Sequence, residues 1–184
     1  MAKNIKELKS VVVDTNVLIS SLIKDEGFTQ AILSILLAQK EINILVPFTI
    51  KTELVAHISE ISRKSGLPVK IVGELMSRFF KHVKIVREME YAEEIRESLK
   101  LVTHEPDAPF AGLALKYAPS IILTYNKKHY NEKGLESGNV NVFTPSEFVK
   151  YLDMELKVGK KVKRKRGLLQ LMSGLALLKR HSMK

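Results

Sequence analysis

Three acids and one amide carry the chemistry this chain can do: Asp14, Glu53, Asp107 and Asn126. Each falls at, or just beyond, the C-terminal edge of a segment that reads as a strand, or at the start of a helix. Carboxylates gathered at one sheet edge repel each other, and protonation is forced on them unless a cation is present. Oxygen donors with no cysteine, and no two histidines at helical spacing, suit Mg²⁺ or Mn²⁺ better than zinc. Such a site activates water and braces a phosphoryl oxygen, as phosphodiester hydrolysis requires. Other reaction classes lack their residues. An aspartyl-phosphate phosphatase needs a second Asp two residues after the first, where this chain has Asn16. No glycine-rich phosphate loop, dinucleotide fingerprint or serine-hydrolase elbow occurs.

The elements that must position these residues follow from periodicity. In VVVDTNVLIS, residues 11–20, three valines predict a short buried strand, after which Val17, Leu18, Ser21 and Leu22 fall at helical spacing. Asp14 thus stands where a strand ends and a helix begins, as a ligand residue of the sheet edge or simply as a helix cap. Asn16 is a further candidate cap. A helix is predicted over 28–40, with Phe28, Ile32, Ile35 and Leu36 on one face, then a buried strand over 42–47. Thr49 is placed to cap the next helix, which turns Leu54, Ile58 and Ile61 inward and carries Glu53 in its first turns. SGLP at 65–68 ends it. Residues 69–80 predict another helix with Ile71, Leu75, Met76 and Phe79 as its stripe, followed by a strand at 81–86 and a helix over 91–101.

Asp107 precedes Ala108 and Pro109, a residue tolerated in a helix's first turn. The helix that follows is small and apolar, which suits close packing on a sheet. Strands at 120–125 and 139–144 and a last helix from Pro145 complete the pattern. Strands alternating with helices throughout predict an α/β fold: a parallel sheet of about five strands, covered by helices on both faces.

Beside the acids, Lys127, Lys128 and His129 reach substrate phosphates from the rim or form an ordinary surface turn. Glu105 reads as a solvated loop residue sooner than a spare acid. His57 and His82 have no partner at ligand spacing and read as structural. Tyr117, Tyr125 and Tyr130 suit packing better than base stacking.

At 184 residues the chain is one domain with an appendage, and its 45% hydrophobic and 27% charged residues are ordinary for a globular protein. The lack of cysteine fits a reducing, cytoplasmic compartment. The polar MAKNIKELKS has no signal-peptide core, and no apolar run is long enough for a transmembrane segment. The net charge of +10 is local: residues 157–184 hold ten Lys and Arg and no acid, while residues 1–156 hold twenty bases and twenty acids. The body is neutral, and the tail carries the excess.

VVVDTNVLIS resembles the opening motif of PIN domains, a family of metal-dependent nucleases. EPDAPFAGLALKY and IILTYNKKHY resemble the family's third and fourth motifs, and TELVAHI its second, so the resemblance spans residues 10–150. It implies that Asp14 and Asp107 are metal ligands, that Glu53 completes the acidic pocket, and that Asn16 and Thr124 orient Asp14 and the fourth-motif loop. At Asn126 many members carry Asp. An amide ligates through its oxygen but adds no charge, so a second metal is expected to bind more weakly. The implied activity is an Mg²⁺- or Mn²⁺-dependent endoribonuclease. Such domains often form homodimers and often act as toxins paired with an antitoxin protein. The rival reading is a catalytically weak or inactive RNA-binding or scaffolding module.

The tail at 157–184 lies outside that resemblance. KKVKRKR, with Lys163, Arg164, Lys165 and Arg166, is a dense cationic run suited to RNA phosphates. After it, Leu168, Leu171, Met172, Leu175 and Leu178 fall on one helical stripe. An RNA contact is the expected role, ahead of an anionic membrane surface or a partner protein; the plainer alternative is a tail whose stripe docks on the body or in a dimer.

Overall fold

The computed structural model describes residues 9–23, 28–38 and 41–159. Five parallel strands form one sheet in the order β3-β2-β1-β4-β5, comprising β1 (Ser10–Val13), β2 (Asn43–Pro47), β3 (Lys84–Val86), β4 (Ser120–Leu123) and β5 (Val140–Phe143). Every residue of β1 and β4 is buried, as expected of central strands covered on both faces. Side chains alternate across such a strand. Val11 and Val13 enter one core with Leu18, Leu36, Leu54 and Val72, while Val12 enters the other with Phe110, Leu113 and Tyr130.

The first core is roofed by α1 (Thr15–Ile23), α2 (Phe28–Leu37), α3 (Ile50–Ser65), α4 (Val69–Phe80) and α8 (Pro145–Gly159). The second is roofed by α5 (Ala92–Ser98), α6 (Ala108–Lys116) and α7 (Glu132–Ser137). This is the five-stranded α/β sheet with two covered faces that the periodicity predicts. Among the described residues, no helix is long and apolar enough to cross a membrane.

Several local expectations are corrected. α4 is rotated from its predicted stripe: Val72, Met76 and Phe79 are buried, whereas Ile71 is exposed. Thr49 precedes α3 but does not cap it with its hydroxyl. Its backbone N–H instead donates to Glu88 Oε1 at 2.8 Å. β4 stops at Leu123, so Thr124 and Tyr125 leave the sheet. The single-turn helix at Glu88–Tyr91 and α7 have no counterpart in the sequence reading, being too short to show a period. Other ends form as the residues dictate. Gly66 closes α3 at φ 73°, a left-handed conformation that glycine adopts freely. Thr144 and Glu147 form a capping box at α8: the Glu147 N–H donates to Thr144 Oγ1 at 3.3 Å, and the Thr144 N–H donates to Glu147 Oε2 at 2.8 Å.

The helix carrying Asp107 at its start is seated by one close approach. A Cβ on Gly112 of α6 would lie 2.8 Å from the Ile95 nitrogen and 2.9 Å from its Cα, both backbone atoms of α5. Neither can rotate away. Gly112→Ala is therefore expected to destabilise the protein by about 1–3 kcal/mol, although Ala is the better helix former. Urea denaturation checks this, and a variant as stable as wild type would show that the helices separate without penalty.

Candidate functional site

The strand order places the site. From β1 the chain winds outward through β2 and β3, then returns to β4 on the other side and continues to β5. The switch point therefore lies between β1 and β4, where helices leave in opposite directions and a crevice opens at the strand ends. Val13 is in register with Leu123, so Asp14 and Thr124 emerge side by side. The Asp14 N–H still donates to the Leu123 carbonyl at 3.0 Å, and the Thr124 N–H to that of Phe143 at 3.0 Å. Both residues are thus held by the sheet as they leave it.

Asp14 is 4% exposed, and its carboxylate is held by three donors. The Thr124 hydroxyl donates to Oδ2 at 2.6 Å, Asn16 Nδ2 to the same oxygen at 2.7 Å, and the Asn16 N–H to Oδ1 at 3.3 Å. The last bond caps α1, whose first N–H groups also bond the Asp14 carbonyl. Asp14, not Asn16, is therefore the cap. The Asn16 oxygen instead accepts the Tyr125 N–H at 3.0 Å. Thr124 Oγ1 also accepts from Asn16 Nδ2 at 3.1 Å and from the Asn126 N–H at 2.9 Å, so its proton and both lone pairs are used.

Asp14, Glu53, Asp107 and Asn126, remote in the chain, line one cavity of about 260 Å³. Glu53 is half-buried and accepts a hydrogen bond from the Thr15 hydroxyl. Asp107 starts α6 without capping it and is buried. The acids feel each other. Burial, opposed by the bonds from Thr124 and Asn16 and reinforced by the charges of Asp107 and Glu53, pushes the Asp14 carboxyl up to about 6. Burial and Asp107 also raise Glu53, against the bond from Thr15.

Two histidines join this site, and residue spacing could not have revealed them. His129 Nδ1 lies 2.7 Å from Asp107 Oδ2, and His104 Nδ1 lies 3.4 Å from the same oxygen. They stand 25 residues apart in the sequence and meet because Val102 and Tyr130 form an antiparallel bridge. The absence of histidines at helical spacing thus does not imply their absence from the site. His57, read as structural, lines the cavity while bonded to Glu60.

Lys127, expected among the phosphate contacts, is instead held by Glu132 at 2.9 Å and Glu147 at 3.1 Å, tying its loop to α7 and α8. Lys128 and Glu105 are exposed, and so is His82. Tyr130 is buried in the second core, its hydroxyl without a partner among the described residues. Burial and the charges of Asp14, Asp107 and Glu53 raise its pKa, keeping the phenol neutral. Tyr117 takes a hydrogen bond from Lys84, and Tyr125 shares one with Thr29. The cationic run with Lys163, Arg164, Lys165 and Arg166, and the leucine stripe after it, lie outside the described residues.

The donor set fits a divalent cation. Three acids and Asn126 line the cavity, and two of those acids are pushed toward protonation by burial and by neighbouring negative charge. A carboxylate has about four acceptor positions, and among the described residues protein donors fill three of those on Asp14. One is left for a ligand.

Comparison with known proteins bears on the family and the fold. The family model described as PIN domain matches residues 12–157. The chain is also similar to one from a crystal structure of VapBC2 from Rickettsia felis bound to a DNA fragment from their promoter. The TM-score is 0.51 and the identity 19%, with 73% of this chain and 98% of that one covered; at that identity the likeness concerns the fold. No curated protein sequence matches the chain.

The raised Asp14 pKa sets a pH dependence. Between roughly pH 4, where a free Asp titrates, and the folded value of about 6, the native state binds the extra proton. In this window, raising the pH destabilises the metal-free protein, by up to on the order of 3 kcal/mol from Asp14 alone. Above it the loss is complete. Chemical denaturation in chelator across pH 4–7 checks the slope. The Asp14→Asn variant is expected to lose that part of it; equal slopes would remove Asp14 as its source.

Proposed function

Because the chain belongs to the PIN domain family, a family of metal-dependent nucleases, we propose that it is an Mg²⁺- or Mn²⁺-dependent endoribonuclease hydrolysing RNA phosphodiester bonds. The observation that carries this reading is the convergence of Asp14, Glu53 and Asp107 on one cavity. Asp14 and Asp107 would hold the cation, Glu53 would complete the pocket, and the Asn126 oxygen would offer a fourth, uncharged donor. A bound divalent cation supplies Lewis acidity toward a phosphoryl oxygen and lowers the pKa of water. Thr124 and Asn16 hold the Asp14 carboxylate in place, so it need not reorganise as charge develops. Thr15 does the same for Glu53 from the first residue of α1. Lys128, exposed beside Asn126, remains a candidate phosphate contact, whereas Lys127 is occupied by its two acids.

A toxin role with an antitoxin protein as partner, and a homodimer, are further proposals supported by family membership. The rival, an RNA-binding module without catalysis, is favoured by one feature, the uncharged Asn126 on the cavity wall.

Metal-dependent cleavage of single-stranded RNA decides between them. The wild type is expected to cut in Mg²⁺ or Mn²⁺ and to stop in chelator, and Asp14→Asn to lose about 100-fold or more in rate. Undiminished cleavage by the variant would overturn the site. The cationic segment at 157–184 is proposed to bind RNA phosphates. Its deletion is expected to flatten the salt dependence of RNA binding by about 0.7 in log–log slope for each phosphate that the segment neutralises. An unchanged slope would remove it from the interface.

A further inference from the structure

We propose that His104, Asp107 and His129 form a binding position for a divalent transition-metal ion of the zinc type, adjoining the all-oxygen pocket and sharing Asp107 with it. The inference rests on the reading of Asp107 as a metal ligand, and it names a second class of ion for that residue. Both imidazoles converge on a single carboxylate oxygen, Asp107 Oδ2, with Nδ1 of His129 at 2.7 Å and Nδ1 of His104 at 3.4 Å. The two rings are tilted at 37°, with centroids 5.1 Å apart. One donor atom from each residue lies within 4.8 Å of the other two. Bonds of roughly 2.0–2.1 Å at tetrahedral angles separate ligand atoms by about 3.3 Å. The His104–Asp107 pair already has that spacing, and the His129–Asp107 pair reaches it by opening a hydrogen bond a little over half an ångström short of it.

The backbone holds this arrangement from both sides. The Thr103 N–H donates to the His129 carbonyl at 2.7 Å, and the Asn131 N–H to that of Leu101 at 2.7 Å, so the loops carrying the two histidines are stitched together. Asp107 is fixed at the base of α6, and its own N–H bonds the His104 carbonyl at 2.9 Å. Burial grades outward. Asp107 is buried, His129 partly so, and His104 exposed, which gives three protein ligands with one side toward water. Three ligands with an open position is the pattern of zinc sites that do chemistry or exchange ligands, whereas closed structural sites take four.

Donor chemistry separates this position from its neighbour. Imidazole nitrogen suits zinc, cobalt, nickel and copper, while Mg²⁺ prefers oxygen and parts reluctantly with its water. Asp14 and Glu53 with Asn126 offer oxygen only. His104 lines the same cavity as those residues, so an ion on the imidazoles lies next to the oxygen pocket and draws on one of its acids. Zinc at this position therefore competes for Asp107 with a cation in the oxygen pocket.

The test uses the full chain, stripped with chelator, and Co²⁺ as a spectroscopic substitute for zinc. Expected is one Co²⁺ with the visible absorption of a nitrogen-containing site of low coordination number, displaced by Zn²⁺ and not by a comparable concentration of Mg²⁺. His104→Ala and His129→Ala should each weaken Zn²⁺ binding about tenfold or more in calorimetry. Asp14→Asn separates the two readings. It should abolish RNA cleavage yet leave the Co²⁺ spectrum in place, so loss of the nuclease reading and loss of this one give different results. A wild-type Co²⁺ spectrum of an octahedral all-oxygen site overturns the proposal, as does Zn²⁺ affinity unchanged in the double histidine variant. Where circular dichroism shows a variant unfolded, the wild-type spectrum alone decides.

Discussion

A carboxylate buried to the extent of Asp14 is unfavourable, and much of the architecture near it answers that fact. Charge removed from water must be met by donors, or the group takes up a proton. Here the donors come from two places far apart in the chain, Asn16 on the first turn of α1 and Thr124 just past β4. They bond each other as well, at 3.1 Å, so the ends of the two central strands are tied through side chains where the backbone ladder stops. The Tyr125 and Asn126 N–H groups join the same cluster. The loop carrying Asn126 is therefore tied to the two side chains that hold the Asp14 carboxylate.

The other half of the site is organised around Asp107 and by different means. Pro109 in the first turn and the apolar face of α6 bring that helix down on β1, β2 and β4. Gly112 lets α5 approach closely enough to brace it. Asp107, left free of capping duty, is met by imidazoles from the two bridged loops. Beyond it, Lys127 clasps Glu132 and Glu147. Its partial burial works against its charge, but the two acids hold its pKa above the ordinary value. A cation that looks available for substrate when only its neighbours in sequence are considered thus serves to join α7 and α8 to the site's rim.

Taken together, these features describe a site strained by its own charge. Asp14 and Glu53 are both pushed toward protonation, and the phenol of Tyr130 is pushed the same way, in each case by burial first and by neighbouring negative charge second. Functional sites commonly keep such local conflicts, which cations or substrates relieve and the rest of the fold offsets.

The residues themselves determined the layered α/β fold. Three consecutive valines, apolar repeats at helical spacing and punctuation by Gly66, Pro109 and Pro145 are local signals that tertiary contacts seldom override. They also determined that Asp14 follows a strand and that Glu53 and Asp107 stand at helix starts, since that depends only on where one period gives way to another. Details finer than a turn escaped: α4 rotated to bury Val72 instead of Ile71, and Thr49 gave its N–H, not its hydroxyl, to a partner. Only the tertiary structure decided what meets what. That His104 and His129 converge on Asp107, and that Glu147 and Glu132 claim Lys127, depends on which strand ends and loops become neighbours. Chain spacing carries no distance between residues joined across a sheet, so contacts that set the chemistry arise only once the sheet has closed its order.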